Sequence, residues 1–429
     1  MKKEAQVKKR YALLTVLCAF ILSGCIINGF VKNESGQGVS DVTMTLSGPK
    51  SDSVTTDATG KYQFDDNQNW LPVGTYTVTP AKDGYRFSPS SQTVTITTRD
   101  YNGTDTAWPV NNVDFEANRG ETTRLTYSDF FPHSHLQSQM AESWCQEVGK
   151  RTEGRVTVQY FAGGELLPYD EAYEGIVTGI IDVGTSAVAY TQDRFPVMGA
   201  IDLPFGYTSS LAATNAANAL YAKLKPEEFD ETQVMYFNAH GPGLIHTRNK
   251  AVTSLEDIRG LKIRSSGMSA EVMTALGATP VLLPITETYE ALEKGVVDGF
   301  CYPTEVNQRL DLGEVVDYVI KEPAAAYTTN FFVVMNKAIW ESLDAKDQAI
   351  ITAINQEWAI KHAEAWDSSD KEGMAYFLSQ EGNQVIELEA TESARWKEAV
   401  APLIDAYAED LDAKGLDGQA VVDTLRGVE

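Results

Sequence analysis

Arg264 stands in the segment of the chain whose residue types best suit the binding of an anion. It directly follows the run Leu261-Lys262-Ile263, which predicts a buried strand, and precedes Ser265-Ser266-Gly267 and a predicted helix. In an open α/β sheet, ligands bind beyond the carboxyl ends of strands, where helix N-termini present unpaired N–H groups. A guanidinium there can hold a carboxylate through two parallel hydrogen bonds. The segment therefore predicts a carboxylate site, and the alternative is an exposed surface arginine.

Contact residues also cluster at three other predicted strand ends. Phe130-Phe131-Pro132-His133 follows one strand, Ser186-Ala187-Val188-Ala189-Tyr190 follows another, and Phe300-Cys301-Tyr302-Pro303 comes late in the chain. Aromatic walls around one fixed cation suit a small organic acid. The residues that we expect to contact this ligand are Arg264, Tyr302, Phe131, His133, Ser186, Tyr190, Cys301, Asn330 and His240.

Signatures of catalysis are missing from the sequence. It contains no Gly-x-Ser-x-Gly elbow, no Walker phosphate loop, no Gly-x-Gly-x-x-Gly and no His-Glu-x-x-His. His133 and His135 could share a metal ion with His240 or His246, but isolated His-x-His pairs are more often ordinary loop or core residues. We therefore predict a protein that is not an enzyme and that carries no cofactor or metal.

Strands and helices alternate through residues 121–429, the region that must position these side chains. Residues 156–160 predict a strand and 209–224 a helix, and a second set of such units begins at Leu255. This order predicts parallel sheets with covering helices, and two sheets imply two lobes. We assign about 121–243 and 330–370 to lobe I, and about 244–329 and 371–429 to lobe II.

Residues 136–148 predict a helix with one buried face. Leu136, Met140, Trp144 and Val148 recur every four residues, with Ala141 and Cys145 beside them. The later part of the chain is largely helical, and its tryptophans are candidate core residues. They are Trp340, Trp358, Trp366 and Trp396.

Residues 25–117 predict a small all-β sandwich of the Ig-like kind. Runs such as 42–46 and 75–79 alternate polar and apolar residues, and Thr59-Gly60-Lys61 supplies turn chemistry between them. We expect this module to act as a spacer, because an Ig-like fold does not by itself provide a binding site.

Net charge limits the partners that the protein can bind, and the N-terminal sequence indicates where the protein is located. The 429 residues carry a formal net charge of −25, which repels phosphate backbones and excludes nucleic acid as a partner. A basic segment, 1–10, precedes a short apolar run, 11–22, as in a signal peptide. Leu22-Ser23-Gly24-Cys25 then resembles the bacterial lipobox. We predict a signal peptide over 1–24, lipidation of Cys25, and a periplasmic or extracytoplasmic protein that is anchored to a membrane by its lipid.

Two cysteines remain after removal of the signal and acylation of Cys25. Cys145 and Cys301 lie far apart in the sequence, in different predicted units, and neither belongs to a Cys-x-x-Cys motif. We expect both to be free buried thiols.

Three ordered motifs resemble a known family. Residues 255–264 (Leu-Glu-Asp-Ile-Arg-Gly-Leu-Lys-Ile-Arg), residues 275–280 and residues 287–299 are similar to the solute-binding proteins of TRAP transporters, the DctP type. This resemblance covers about 122–429 and implies two hinged α/β lobes that close on a carboxylate and present it to a sodium-coupled permease. It also implies that Arg264 is the carboxylate-binding arginine. The β module resembles the carboxypeptidase-regulatory or Cna-B type.

Two positions depart from the branch of that family that binds sialic acid. Tyr302 stands where that branch has an asparagine, and Leu244 stands near the position of its second arginine. A phenol can stack or donate one hydrogen bond but offers no amide fork. Sialic acid is therefore not the expected ligand.

An alternative function places the activity in the β module. In that case the chain would be a surface lipoprotein or adhesin that binds glycan, with Trp70 and Trp108 as candidate stacking residues. Retention of small-acid binding by residues 121–429 alone would favour the receptor, and glycan binding by residues 26–117 alone would favour the adhesin.

Overall fold

The structure, a computed structural model, describes residues 26–64, 71–82, 84–97, 110, 112–119, 122–191 and 193–427. The predicted signal peptide, Cys25, Trp70 and Trp108 lie outside the described residues. The described residues fall into two compact units: a β unit, from the described part of Met1–Thr122 with Glu153–Arg155, and a body, from the described part of Thr123–Thr152 with Val156–Glu429. Within the described ranges, no helix has both the length and the apolar character that a membrane crossing requires.

In its described residues, the β unit forms two four-stranded sheets around one core, as the Ig-like prediction requires. The sheet orders are β4-β1-β8-β6 and β3-β2-β5-β7. Along β2, Met44 and Leu46 are buried while their neighbours in the strand are exposed, so one face of the sheet lines the core. The strands are β1 (Ile27–Lys32), β2 (Thr43–Ser47), β3 (Asp52–Thr55), β4 (Lys61–Phe64), β5 (Gly74–Ala81), β6 (Tyr85–Ser88), β7 (Gln92–Ile96) and β8 (Phe115–Arg119).

The first lobe of the body is built on a five-stranded sheet of order β10-β9-β11-β18-β12. Its strands are β9 (Thr123–Ser128), β10 (Val156–Phe161), β11 (Val183–Ala187), β12 (Thr232–Ala239) and β18 (Asn330–Asn336). Its helices are α1 (Leu136–Arg151), α2 (Ala172–Val177), α3 (Ser210–Leu224) and α8 (Lys337–Ser342). The sheet is mixed, because β18 pairs antiparallel with both β11 and β12. The predicted all-parallel arrangement is wrong here, since β18 returns from the second lobe in the opposite direction.

The second lobe is built on a six-stranded sheet of order β15-β14-β16-β13-β17-β19. Its strands are β13 (Leu244–Thr247), β14 (Lys262–Ser265), β15 (Thr279–Leu282), β16 (Gly299–Tyr302), β17 (Tyr318–Ile320) and β19 (Gln384–Ile386). Its helices are α4 (Leu255–Ile258), α5 (Met268–Ala275), α6 (Thr288–Glu293) and α7 (Val306–Arg309). Here β13 is the reversed strand, antiparallel to β16 and β17.

One long helix, α9 (Ala345–Ser379), forms hydrogen bonds with both lobes. The carboxylate of Asp367 accepts a hydrogen bond from Ser210 N, at the start of α3, at 2.8 Å. One turn later, the carboxylate of Asp370 accepts one from Glu305 N, which lies just beyond β16, at 3.0 Å. The helix thus fixes the position of a segment of each lobe.

The last helices pack differently from the predicted division into lobes. In α10 (Ala390–Ala413), Trp396 belongs to a second-lobe core, but Ile404 and Leu411 belong to the first-lobe core. The final helix, α11 (Gly418–Arg426), also packs on the first lobe. The last part of 371–429, which we assigned to lobe II, therefore packs on the first-lobe core, because α10 is long enough to cross from one core to the other.

Candidate functional site

Arg264 occupies the third position of β14, between the parallel neighbours β15 and β16. The prediction placed it just after the strand, but the strand runs one residue beyond it. Its side chain is 4% exposed. Nε donates a hydrogen bond to the carbonyl oxygen of Leu283 at 2.8 Å, whereas the buried Nη1 has no hydrogen-bond partner among the described residues. One edge of the guanidinium is thus fixed, while Nη1 has no acceptor among the described residues.

The backbone behind Arg264 turns at Gly267. This residue has φ +52°, which L side chains rarely adopt, and it caps α5. Ser269, in the first turn of α5, donates its hydroxyl to Ser266 O at 2.7 Å and accepts a hydrogen bond from Ser266 N at 2.9 Å. The serines therefore shape the loop rather than the helix end.

Tyr302 lies beside Arg264 at the end of β16. The guanidinium carbon is 5.7 Å from the centre of the tyrosine ring, within the range of a cation–π interaction. Burial raises the pKa of Tyr302, so its hydroxyl stays protonated and can donate a hydrogen bond. In the sheet, Leu244 stands directly opposite Tyr302 on β13.

His240 connects this pair to the aromatic residues of the first lobe. Its ring centre is 6.2 Å from that of Tyr302, 5.4 Å from that of Tyr327 and 6.4 Å from that of Phe331. Nδ1 lies 2.6 Å from Gly241 O, and because a carbonyl can only accept, Nδ1 must be the donor. Burial lowers the pKa of His240 to about 4, so the ring is neutral near pH 7.

The first lobe contributes a wall of stacked rings. Phe130 and Phe131 have ring centres 4.1 Å apart, and Phe130 meets Tyr190 edge to face at 5.8 Å. Behind them Phe331 stacks on Trp366 at 5.8 Å, and both are buried. Tyr190 is 42% exposed, so the outer rings of this wall remain accessible.

Three other predicted contacts have different surroundings. Ser186 is buried in β11, where its hydroxyl donates to Tyr169 O at 2.6 Å. Asn330 is buried, and its amide donates to Met198 O at 3.2 Å while its Oδ1 has no described partner. His133 is 70% exposed and faces Glu142 at 3.9 Å.

Cys301 is a core residue in this structure. Its thiol donates to Gly243 O at 3.5 Å, and burial raises its pKa to about 12. Successive side chains of a strand point to opposite faces, so Cys301 faces away from the side of β16 that carries Tyr302. This placement does not favour the predicted contact of Cys301 with a ligand, which stays a prediction, whereas the prediction of free, buried Cys145 and Cys301 is confirmed.

Sequence reasoning missed several residues near Arg264. Asp202 is buried, and its Oδ1 accepts a hydrogen bond from Asn330 N at 2.8 Å. Burial raises the pKa of Asp202 to about 8. Tyr327 and Phe331 also lie in the group of aromatic rings around His240. No local sequence motif marks them, because the return of the chain into β18 brings them there.

The histidine pair considered for a metal has other contacts. His135 caps α1 by accepting a hydrogen bond from Gln137 N at 3.2 Å, and it stacks on Phe131 at 4.3 Å. Across the part of the chain that the structure describes, no group of histidine, cysteine and acidic side chains has the arrangement of a metal site.

Comparison with known families agrees with this architecture. Residues 127–410 match the family DctP, described as bacterial extracellular solute-binding protein, family 7. This chain belongs to that family. Residues 26–108 match the carboxypeptidase regulatory-like domain, which confirms the resemblance predicted for the β unit.

Solved structures of DctP-family proteins superpose on most of the chain. A TRAP periplasmic solute-binding protein from Desulfovibrio salexigens is 32% identical, with a TM-score of 0.68 over 71% of this chain and 95% of that one. A TRAP solute-binding protein from Rhodoferax ferrireducens, solved with copurified benzoate, is 28% identical, with a TM-score of 0.64 over 72% and 97%. One from Bordetella bronchiseptica, with bound (R)- and (S)-mandelate, is 28% identical, with a TM-score of 0.62 over 71% and 98%. Two of these three relatives were thus solved with a small organic acid bound.

Proposed function

We propose that this protein is the extracytoplasmic receptor of a TRAP transporter and that Arg264 binds the carboxylate of a small organic acid. The observation that supports this most strongly is the buried guanidinium without a described carboxylate partner. A buried charge is costly unless it is paired and hydrogen-bonded. A ligand carboxylate at Nη1 would supply both the missing charge and the missing acceptor.

The two lobes supply different parts of the site. Arg264 and Tyr302 belong to the second lobe, whereas Phe131 and Tyr190 belong to the first. The chain crosses between the lobes from β12 to β13 and from β17 to β18, and such crossings can act as a hinge. A ligand bound to both lobes would favour their closure, and the closed form is the one that a permease would recognise.

The proposed location rests on the N-terminal segment. Cleavage before Cys25 and acylation of that residue would hold the receptor at a membrane, close to its permease. Membership of a bacterial extracellular solute-binding family is consistent with this location.

A thermal-shift experiment tests the carboxylate contact. At a ligand concentration one hundred times the dissociation constant, binding adds about 2.7 kcal/mol, or roughly 4 °C in Tm for a body of about 300 residues. Benzoate, mandelate and succinate should be compared with their uncharged amides, which lack the anion. We expect at least one acid to raise Tm and its amide to leave Tm unchanged.

Two substitutions sharpen this test. Arg264→Ala should weaken acid binding by about 2–5 kcal/mol, because a buried charged contact is lost. Arg395→Ala is the matched control, since Arg395 is a half-exposed arginine that pairs with Glu256 at 2.6 Å. Equal Tm shifts with an acid and its amide, or an unchanged affinity in Arg264→Ala, would contradict the proposal.

A further inference from the structure

A cavity of about 660 Å³ lies between α3, α10 and α11, and we call it the α11 cavity. Its lining residues come from these three helices and from the loop 204–208 that precedes α3. Cavities that bind small molecules typically measure about 300–1,000 Å³. None of the residues that we expect to contact an acid at Arg264 lines the α11 cavity. The cavity is therefore separate from that site and large enough for a ligand of its own.

The lining of the α11 cavity is mostly apolar. Ile404 and Leu425 belong to the buried core of the first lobe. The rings of Phe205 and Tyr207, whose centres are 6.2 Å apart, form another part of the lining. The remaining uncharged lining residues have small side chains and are Pro204, Gly206, Thr208, Ala212, Ala216 and Ala401. An aliphatic chain would leave water on entering this space, and its affinity would rise about fourfold for each methylene group that it buries.

The charged residues of this lining are both cations. Lys397 is exposed on α10, and Arg426 is exposed at the last position of α11. Arg426 Nη2 lies 4.0 Å from Asp405 Oδ1, but both side chains are more than half exposed, at 54% and 72%, so this pair is weak. An anion at the mouth of the cavity would therefore meet two positive charges and no lining carboxylate.

This charge is unlike that of the chain as a whole, which carries a formal net charge of −25. It is also unlike that of another cavity of the body, of about 470 Å³, which is lined mainly by acids. The charged lining residues of that second cavity are Asp193, Asp202, Glu271, Asp410 and Lys414. The α11 cavity thus combines an apolar interior with a cationic mouth, and this combination favours an anion that has an apolar body.

We infer that the α11 cavity is a second binding site, whose ligand is an aliphatic monocarboxylate. The chain of the ligand lies against Ile404 and Leu425, and its carboxylate lies at Lys397 and Arg426. Arg264 takes no part in this contact, so the inference goes beyond the proposed function and does not depend on it.

Calorimetric titration of the full protein carrying Arg264→Ala tests this site, because the substitution removes the carboxylate contact proposed for the cleft. Hexanoate, octanoate and 1-octanol are the probes. Octanoate should bind about tenfold more tightly than hexanoate, because it buries two more methylene groups. It should also bind about tenfold more tightly than 1-octanol, which has the same chain length but no charge to pair with the two cations.

A substitution that fills the cavity locates the binding. Ala401 is a half-buried lining residue of α10, so the side chain of Ala401→Leu would occupy the space that the ligand chain needs. Introduced beside Arg264→Ala, it should weaken octanoate binding about tenfold or more, because about three methylene groups of the ligand would lose their place. Ala394→Leu, at an exposed position of the same helix outside the lining, is the matched control and should leave the affinity unchanged.

Substitution of the cations tests the charge without filling the cavity. Lys397→Gln and Arg426→Gln should each weaken octanoate binding about threefold and leave 1-octanol binding unchanged. Lys371→Gln, at an exposed position of α9, is the matched control.

Three results would overturn the inference. The first is an absence of octanoate binding once Arg264 is replaced, which would assign any octanoate binding to the cleft. The second is equal affinity for octanoate and 1-octanol, which would exclude a role for the cations. The third is an octanoate affinity that neither Ala401→Leu nor the two glutamine substitutions reduce, which would place the ligand elsewhere in the molecule.

Discussion

Gly373 of α9 is the position where a single methyl group should disturb both the fold and the site. A Cβ there would lie 2.0 Å from Thr304 O and 2.7 Å from Glu305 Cα, and both are backbone atoms that must move. Asp370 holds the same segment, because Thr304 Oγ1 donates to Asp370 O at 2.9 Å and Glu305 N to its carboxylate. This segment begins two residues after Tyr302, so its displacement would move the ring beside Arg264.

The size of the effect follows from two opposing contributions. Overpacking of this kind costs typically 1–3 kcal/mol, and replacing glycine by alanine inside a helix returns up to about 1 kcal/mol. Gly373→Ala should therefore lower the free energy of unfolding by about 1–2 kcal/mol. Gly149→Ala in α1 is the matched control, since its Cβ would come no closer than 3.9 Å to any neighbour, at Val156 O. That variant should be more stable than the parent by about 0.5–1 kcal/mol.

Guanidinium chloride unfolding of the parent and the two variants measures this difference. We expect opposite signs for the two variants, and acid affinity lowered in Gly373→Ala alone. A Gly373→Ala protein that is as stable as the Gly149→Ala protein would refute the close approach of α9 to the segment after β16.

Two further predictions concern titration and thiol chemistry. Burial raises the pKa of Asp202 to about 8 and of Asp370 to about 7. Between pH 6.5 and 8.5 the folded state therefore holds protons that the unfolded state has lost, and the free energy of unfolding should fall as pH rises. Denaturant unfolding across this range checks the sign, and a rise would contradict it. Cys145 and Cys301 are buried with raised pKa, so mass spectrometry of labelled peptides should find both unmodified in the folded protein and modified after unfolding. Rapid labelling of the folded protein at either position would contradict their burial.

The spacing of apolar residues predicted helices and strands well where the burial of apolar side chains alone determines them. In α1, Trp144, Cys145 and Val148 are buried as their spacing predicts. Gln137 and Ser138 are buried as well, because distant residues satisfy their side chains: Gln137 donates to His362 O, and Ser138 pairs with the hydroxyl of Tyr160. Periodicity of apolar residues carries no signal for such pairs.

The site was predictable in part. Arg264 was marked by the strand and loop around it, and Tyr302 by its place at the end of a strand. The rings of Phe331 and Trp366 come together because segments far apart in sequence pack against each other. The sequence analysis therefore predicted Trp366 only as a core residue. Cys301 lies on the opposite face of β16 from Tyr302, and membership of a strand end does not say which face a side chain occupies.

The most direct measurement is a crystal structure of the protein with benzoate or phenylacetate. The account predicts a carboxylate oxygen about 2.7–2.9 Å from Arg264 Nη1, with Nε still donating to Leu283 O. A complex in which Nη1 stays without an acceptor while the acid lies elsewhere in the molecule would contradict it.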